Sequence, residues 1–136
     1  MVTVMNDENS IIDLAALISG MDFLNYEKGR KCCLNDDEFY MEILKEFVEE
    51  SKLHILQESY RQQDWSKYRI SMHTIKSSAA YIAAEELSKQ ARLMEKAAKE
   101  GNLPYILDKH AEFIAYYQAV LQGIGEGLAK ADVQRQ

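Results

Sequence analysis

The sequence predicts an all-α protein, an up-down antiparallel four-helix bundle with extra short helices at its N-terminal end. Three observations carry that reading. Helix breakers are scarce, with six glycines and one proline in 136 residues, so the chain lacks the turns that a sandwich or barrel needs. Nearly every segment after Ser10 repeats its apolar residues with the helical period rather than the alternation of a strand. The links between these segments are short, which makes successive helices antiparallel neighbours. A hydrophobic content of 47% and a charged content of 28% fit one soluble globular domain with its own core.

Taken in order, Ser10 and Asp13 mark a helix start, and a short helix from Ile11 to about Ile18 stops near Gly20. Tyr26 to Cys33 fits a second short helix. Asn35-Asp36-Asp37-Glu38 then supplies an N-cap, acids for the helix dipole and a reach-back glutamate. Tyr40, Ile43, Leu44, Phe47, Val48 and Ile55 form one apolar stripe, which predicts a single long helix running to about Gln62. Asp64 caps a helix from Trp65 to about Ala84. The next runs from Glu85 to Glu100 and ends on Gly101-Asn102, a C-cap signature. Pro104 sits in the first turn of the last long helix, where its missing N–H costs nothing. That helix carries the stripe Ile106, His110, Phe113, Tyr117 and Leu121, and Gly123, Gly125 and Gly127 are expected to weaken or fray its end. The domain reading is an N-terminal extension over 1–22, the bundle over 23–128 and a tail over 129–136.

Several function classes are excluded by composition and spacing. A net charge of −6, a pI near 5.1 and the absence of a Lys/Arg run do not suit a binder of duplex nucleic acid or of an anionic membrane. Cys32 and Cys33 are adjacent, which is neither CxxC nor a zinc pattern, and they read as two free thiols in a reducing compartment. No apolar stretch approaches a membrane span, and the N-terminus lacks the basic and apolar regions of a secretory signal. A cytoplasmic location is therefore expected. HExxH, a Walker loop and GxGxxG do not occur, and none of His54, His73 and His110 has a glutamate three residues before it. No metal site, no cofactor and no autokinase activity are expected. His54 reads as a structural or solvated residue and His110 as a satisfied residue at the core edge.

The helix from Trp65 carries the chemistry. Tyr68, Met72, Ile75, Ala79 and Ile82 cluster on one face, and at about 100° per residue His73 lies roughly 140° from the centre of that face. His73 is therefore expected to point outward. Lys76, Ser77, Ala80 and Ala84 fall within about 60° of it, and all but the lysine are small. Ile70 adds an exposed apolar contact on the same side. Such a strip leaves an imidazole accessible to another protein, and a lysine one turn away can hold phosphoryl oxygens.

The stretch His73-Thr74-Ile75-Lys76-Ser77-Ser78-Ala79-Ala80 resembles the signature of histidine-containing phosphotransfer (HPt) domains. Upstream, Asp37 to Phe47 resembles the family's first long helix. Downstream, Leu87, Ala91, Leu93-Met94-Glu95 and Lys99-Glu100-Gly101-Asn102 resemble the second helix of its core hairpin, and the resemblance spans roughly Tyr26 to Leu121. Two departures stand out: the family usually has glycine where this chain has Ser77, and often where it has Ala83. Alanine at 83 favours continued helix. The resemblance implies a step of a two-component phosphorelay. His73 accepts a phosphoryl group from a receiver-domain aspartate, through Nε2, and passes it to a second receiver. By the resemblance Lys76 would pair with the phosphoryl oxygens, Glu95 would orient the other ring nitrogen and Lys99 would add positive charge, while the hydroxyl of Ser77, where the family has glycine, can by its own chemistry bond the same oxygens. Ile70, Ala80 and Ala84 would touch the partner. Mg²⁺ belongs to the receiver. The implied partners are response-regulator receivers and a hybrid sensor histidine kinase, with the chain itself a monomeric phosphocarrier. A sensor-kinase dimerisation helix fits less well, since Thr74 stands where it would favour an acid and no proline follows. The alternative reading is an interaction bundle that docks a receiver or kinase without transferring phosphate, and Ser77 and Ala83 keep that alternative open.

Overall fold

Residues 23–135 are described by the computed structural model, and among them the chain forms six helices and no strand. They are α1 (Tyr26–Cys32), α2 (Asp37–Glu49), α3 (Leu53–Gln62), α4 (Trp65–Tyr81), α5 (Glu85–Glu100) and α6 (Leu103–Arg135). The short helix expected over Ile11 to Ile18, its Ser10 cap and the extension over 1–22 lie outside the described residues. Helices α4 and α5 form the most extensive interhelical contact; α3 flanks α4, α6 flanks α5, and α2 packs on α6. The result is the four-helix bundle, with α2 and α3 sharing one arm. Its centre is filled by Tyr40, Leu44, Leu56, Tyr68, Met72 and Ile75 from the first two arms and by Leu87, Met94, Phe113 and Tyr117 from the last two. No described helix is long and apolar enough to cross a membrane.

The arm expected as one helix to Gln62 is broken at residues 50–52. Two polar contacts account for the break. Ser51 Oγ accepts the Leu53 N–H at 3.1 Å, the Lys52 N–H donates to the buried Tyr117 hydroxyl at 2.9 Å, and only the Glu50 N–H continues the helical ladder, to Glu46. A serine hydroxyl competes locally with helix hydrogen bonds, and a tertiary acceptor decides the competition here. The break resets the helical phase. Ile55, expected in the core stripe, is 43% exposed, while its neighbour Leu56 is fully buried.

Three turns share one geometry. Helices α3, α4 and α5 are each followed by a left-handed residue, Gln63 (φ 59°), Ala83 (φ 64°) and Gly101 (φ 70°). In each, the next N–H reaches back to close a Schellman turn: Asp64 to Ser59, Ala84 to Ala79 and Asn102 to Ala97, all at 2.8 Å. Asp64 and Asn102 then cap the following helix through their side chains. The expectation that alanine at 83 would prolong the helix is overturned: α4 stops at Tyr81. The N-terminal segment holds this turn from outside. The Tyr40 hydroxyl donates to the Ile82 carbonyl at 2.7 Å, the Asn25 N–H donates to the Ala83 carbonyl at 3.0 Å, and Lys28 pairs with Glu85. Tyr40 reaches Ile82 by lying against Gly29, where a Cβ would sit 2.3 Å from its hydroxyl oxygen. The expected fraying of the last helix is also overturned, since α6 continues through Gly123, Gly125 and Gly127 to Arg135. Ile124 and Ala131 are buried along it, and the missing Cβ of Gly123 makes room for the Phe23 ring. Packing outweighs the helix propensity of glycine.

His110 is a core-edge residue, as its stripe suggests. Its ring stacks on Tyr60 at 3.6 Å with the planes 2° apart, and Nδ1 lies 2.8 Å from the Tyr68 hydroxyl. Burial holds its pKa below the ordinary histidine value.

Two predictions follow from the packing. Replacing exposed Gln63 by glycine removes the left-handed penalty of about 1–2 kcal/mol against an unfolded-state entropy cost of about 0.5–1. Denaturant unfolding should show a net gain of roughly 0.5–1 kcal/mol, with a smaller gain for Ala83→Gly, whose methyl is buried; a loss at Gln63 would contradict the turn geometry. His110 folds in its neutral form, so its contribution is complete above its unfolded pKa of about 6.5 and is lost as the pH falls below that toward the lower folded value. Urea midpoints should therefore drop from pH 7.5 to 5.5 more in the wild type than in His110→Gln, and equal slopes would remove His110 as the source.

Candidate functional site

Helix α4 is packed on three sides and leaves one strip facing outward. Asp64 starts it by accepting the Lys67 N–H at 3.2 Å, and the buried residues Tyr68, Met72, Ile75 and Ala79 fix its rotation. That rotation places the His73 side chain 60% exposed. Opposite it on α5 stands Glu95, whose side chain is only 16% exposed. Glu95 Oε2 lies 2.8 Å from His73 Nδ1, and Oε1 lies 2.7 Å from Lys76 Nζ. Each carboxylate oxygen thus holds one cationic or N–H group of α4. A further pin lies one turn along, where Ser88 Oγ donates to the Lys76 carbonyl at 2.8 Å.

The electrostatics of this triad are determined by Glu95. Burial by itself raises its pKa, but the hydrogen bonds from Lys76 and His73 outweigh that and hold the carboxyl below the usual carboxylate range. The carboxylate is therefore ionised at neutral pH and can only accept. Nδ1 of His73 must then carry the proton of the neutral ring, which leaves the lone pair on Nε2. Nε2 is the nitrogen that faces away from α5.

The other residues singled out by sequence divide into three groups. Ser77 and Ala80 are exposed on the same strip, and Ile70 is 55% exposed three residues before His73. Lys99 is exposed one turn beyond Glu95 and makes no ion pair among the described residues; it is not drawn into the triad. Ala84 is corrected: it is fully buried in the Schellman turn after α4, because the chain reverses at Ala83 before the outward strip can reach it. The sequence reading missed Ile55. With Ile70 it walls a groove of about 310 Å³ between α3 and α4, lined also by Lys52, Lys67, Ser71 and Thr74. The unpredicted break after α2 is what turns Ile55 outward. Among the described residues no cluster of His, Cys, Asp and Glu is placed to hold a metal ion, and Cys32 is exposed while Cys33 is buried, both as free thiols.

The family model of the Hpt domain matches residues 41–123, from within α2 to within α6. No curated protein matches the chain, and no solved structure matches it.

The hydrogen bond to Glu95 predicts one tautomer. Nitrogen NMR of imidazole-labelled protein at a pH where His73 is neutral should find it protonated at Nδ1. Glu95→Ala should shift the balance toward the Nε2–H form, which dominates free neutral histidine chemistry when no partner holds Nδ1. An unchanged tautomer in that variant would mean that Glu95 does not set it.

Proposed function

From the premise that the chain belongs to the Hpt domain family, whose function is phosphotransfer in two-component signalling, we propose that His73 is its phosphoacceptor and that it shuttles a phosphoryl group between aspartates of receiver domains. The observation that supports this reading best is the pairing of an exposed imidazole with a largely shielded carboxylate at Nδ1, which leaves Nε2 as an open nucleophile. In the proposed step, the Nε2 lone pair attacks the phosphorus of the receiver's aspartyl phosphate. An N–P bond forms, the acyl P–O bond breaks, and the aspartate leaves as a carboxylate. No proton need move, because Nδ1–H stays bonded to Glu95. Positive charge develops on the ring as the lone pair is donated, and the Glu95 carboxylate stands 2.8 Å away to offset it. Lys76 exchanges its contact with Glu95 for one with the transferring phosphoryl oxygens. Ser77, next to it on the strip, is in range of the same group by position, and Lys99 acts only as background charge. Mg²⁺ and the remaining electrostatic stabilisation come from the receiver. The reverse step hands the group to a second receiver.

Docking in this reading uses the apolar Ile55–Ile70 groove beside His73 and the small side chains of Ser77 and Ala80, which let a partner's surface approach the ring. The partners are response-regulator receivers and a hybrid sensor kinase, the chain acts as a monomer, and the compartment is the cytoplasm, where those partners work.

The test is transfer from phosphorylated receiver domains in the presence of Mg²⁺, read as acid-labile label on the chain. His73→Gln should abolish label while leaving helicity intact, and label persisting in that variant would refute the assignment. Lys76→Ala should slow transfer about tenfold, less than the 10²–10³ lost with a fully preorganised donor, because the Lys76 side chain is 29% exposed and water screens it. An unchanged rate would remove Lys76 from the mechanism. Receiver binding without any label would favour the interaction-module reading instead.

A further inference from the structure

The chain is acidic overall, at −6, yet residues 65–100, the α4–α5 hairpin, carry seven basic and four acidic residues. The hairpin is thus +3 inside a chain whose remainder is −9. The placement of these charges is more telling than their number. Three of the four acids sit at the ends of α5: Glu85 and Glu86 in its first turn and Glu100 at its last residue. Glu85 is paired with Lys28. The one acid in the middle is Glu95, both of whose oxygens are occupied by His73 and Lys76.

Around that neutralised pair the cations converge. Arg69 and Lys76 are four residues before and three after His73, which puts them on one flank of α4. Lys76 reaches Glu95, so that flank faces α5. On α5, Arg92 and Lys99 are three before and four after Glu95 and so share its face, both exposed. Among the described residues Arg69, Arg92 and Lys99 enter no ion pair. The opposite flank of α4 has a different character: its recess, lined by Ile43, Phe47, Thr74 and Tyr81, also carries Glu46 and Glu50 of the acidic α2 arm, with Lys52 as the one cation among its lining residues. The charge around His73 is therefore uneven: cations without an ion pair line the α4–α5 seam, while acids outnumber Lys52 in the recess toward α2.

We infer that Arg69 and Arg92, with Lys99 beside them, form a steering surface that captures and orients the anionic face of a phosphorylated receiver domain over His73. The inference rests on the proposed function, since it takes its partner from there. The complementarity is chemical: an aspartyl phosphate places a phosphoryl dianion at the point that must meet Nε2. Charges of opposite sign at the two docking faces raise association rates by about 10- to 1,000-fold, an effect that falls steeply with ionic strength. The acidic α2 arm repels the same face and disfavours the reversed orientation. Neither arginine touches the reacting atoms, so both act on encounter and not on the chemical step.

The test uses the full chain and receiver domains carrying beryllofluoride as the phosphoryl mimic, with association followed by stopped flow from about 20 to 500 mM salt. Transfer of label from the same receivers, phosphorylated, is measured in parallel. The wild-type association rate should fall at least tenfold across that range. Arg69→Gln/Arg92→Gln should associate about tenfold more slowly at low salt, converge with wild type at high salt, and keep the wild-type rate of transfer once receiver is saturating. A flat salt profile in the wild type, an unchanged association rate in the double variant, or no binding by any receiver overturns the steering surface. Label reaching His73 with a flat salt profile would sink steering alone and leave the proposed function standing. Salt-dependent capture without label would do the opposite.

Discussion

The register of α4 against α5 is the constraint on which the site depends. His73 lies ten residues before the left-handed Ala83 and Glu95 twelve after it, and the two side chains meet at 2.8 Å. A helix advances about 1.5 Å and turns about 100° per residue. A slip of one residue at the turn would carry Glu95 out of reach of Nδ1 and present its neighbour Met94 or Lys96 instead. The turn is accordingly held from several sides. Its own backbone closes a Schellman motif, Tyr40 and Asn25 bond to its carbonyls, and Ser88 ties α5 to the Lys76 carbonyl. The elements that brace it, α1 and the start of α2, lie before residue 41, where the family match begins.

Glu95 converts that register into chemistry. A carboxylate has two oxygens, and here each holds one side chain of α4. The same contacts that keep it ionised also choose the histidine tautomer, so the charge state of one residue and the proton position of another are determined together. This economy is possible because Glu95 is largely shielded while His73 is open. A shielded acceptor keeps strong hydrogen bonds, and an open nucleophile can be reached by another protein.

How much of this was legible in the sequence depends on where the deciding atoms lie. Caps made by a residue's own side chain were legible in part: Asp64 and the left-handed Gly101 sit where their types predict, Asp36 is the cap within the run Asn35 to Glu38, and Asn102, read as part of a C-cap, also caps the helix that follows. The outward direction of His73 was also legible, since it needs only the angular spacing of its apolar neighbours. What could not be read locally was settled by a distant partner. The break after α2 requires the Tyr117 hydroxyl, 65 residues away from Lys52. The left-handed state of Ala83 is stabilised by Tyr40 and Asn25, and the continuity of α6 past Gly123 by Phe23. Ile55 and Ala84 were misplaced for the same reason, because an angular argument holds only within an unbroken helix. The meeting of Glu95 with His73 came from the family resemblance, as no spacing rule connects residues on two helices until the turn between them is known.

These misplacements bear on function. Had α2 run unbroken to Gln62, Ile55 would fall in the core stripe and the groove between α3 and α4 would lose one apolar wall. The break exposes it beside Ile70, on the flank of α4 that Glu95 and Lys76 do not occupy. Helix α4 thus presents His73 between two unlike surfaces, a basic seam toward α5 and an apolar groove toward α3. Long-range charge acts before contact and short-range apolar packing acts after it. A partner drawn by the first and seated by the second would arrive with its reacting group over Nε2. In the proposed step, each task would fall to residues that do not have to take part in the transfer itself.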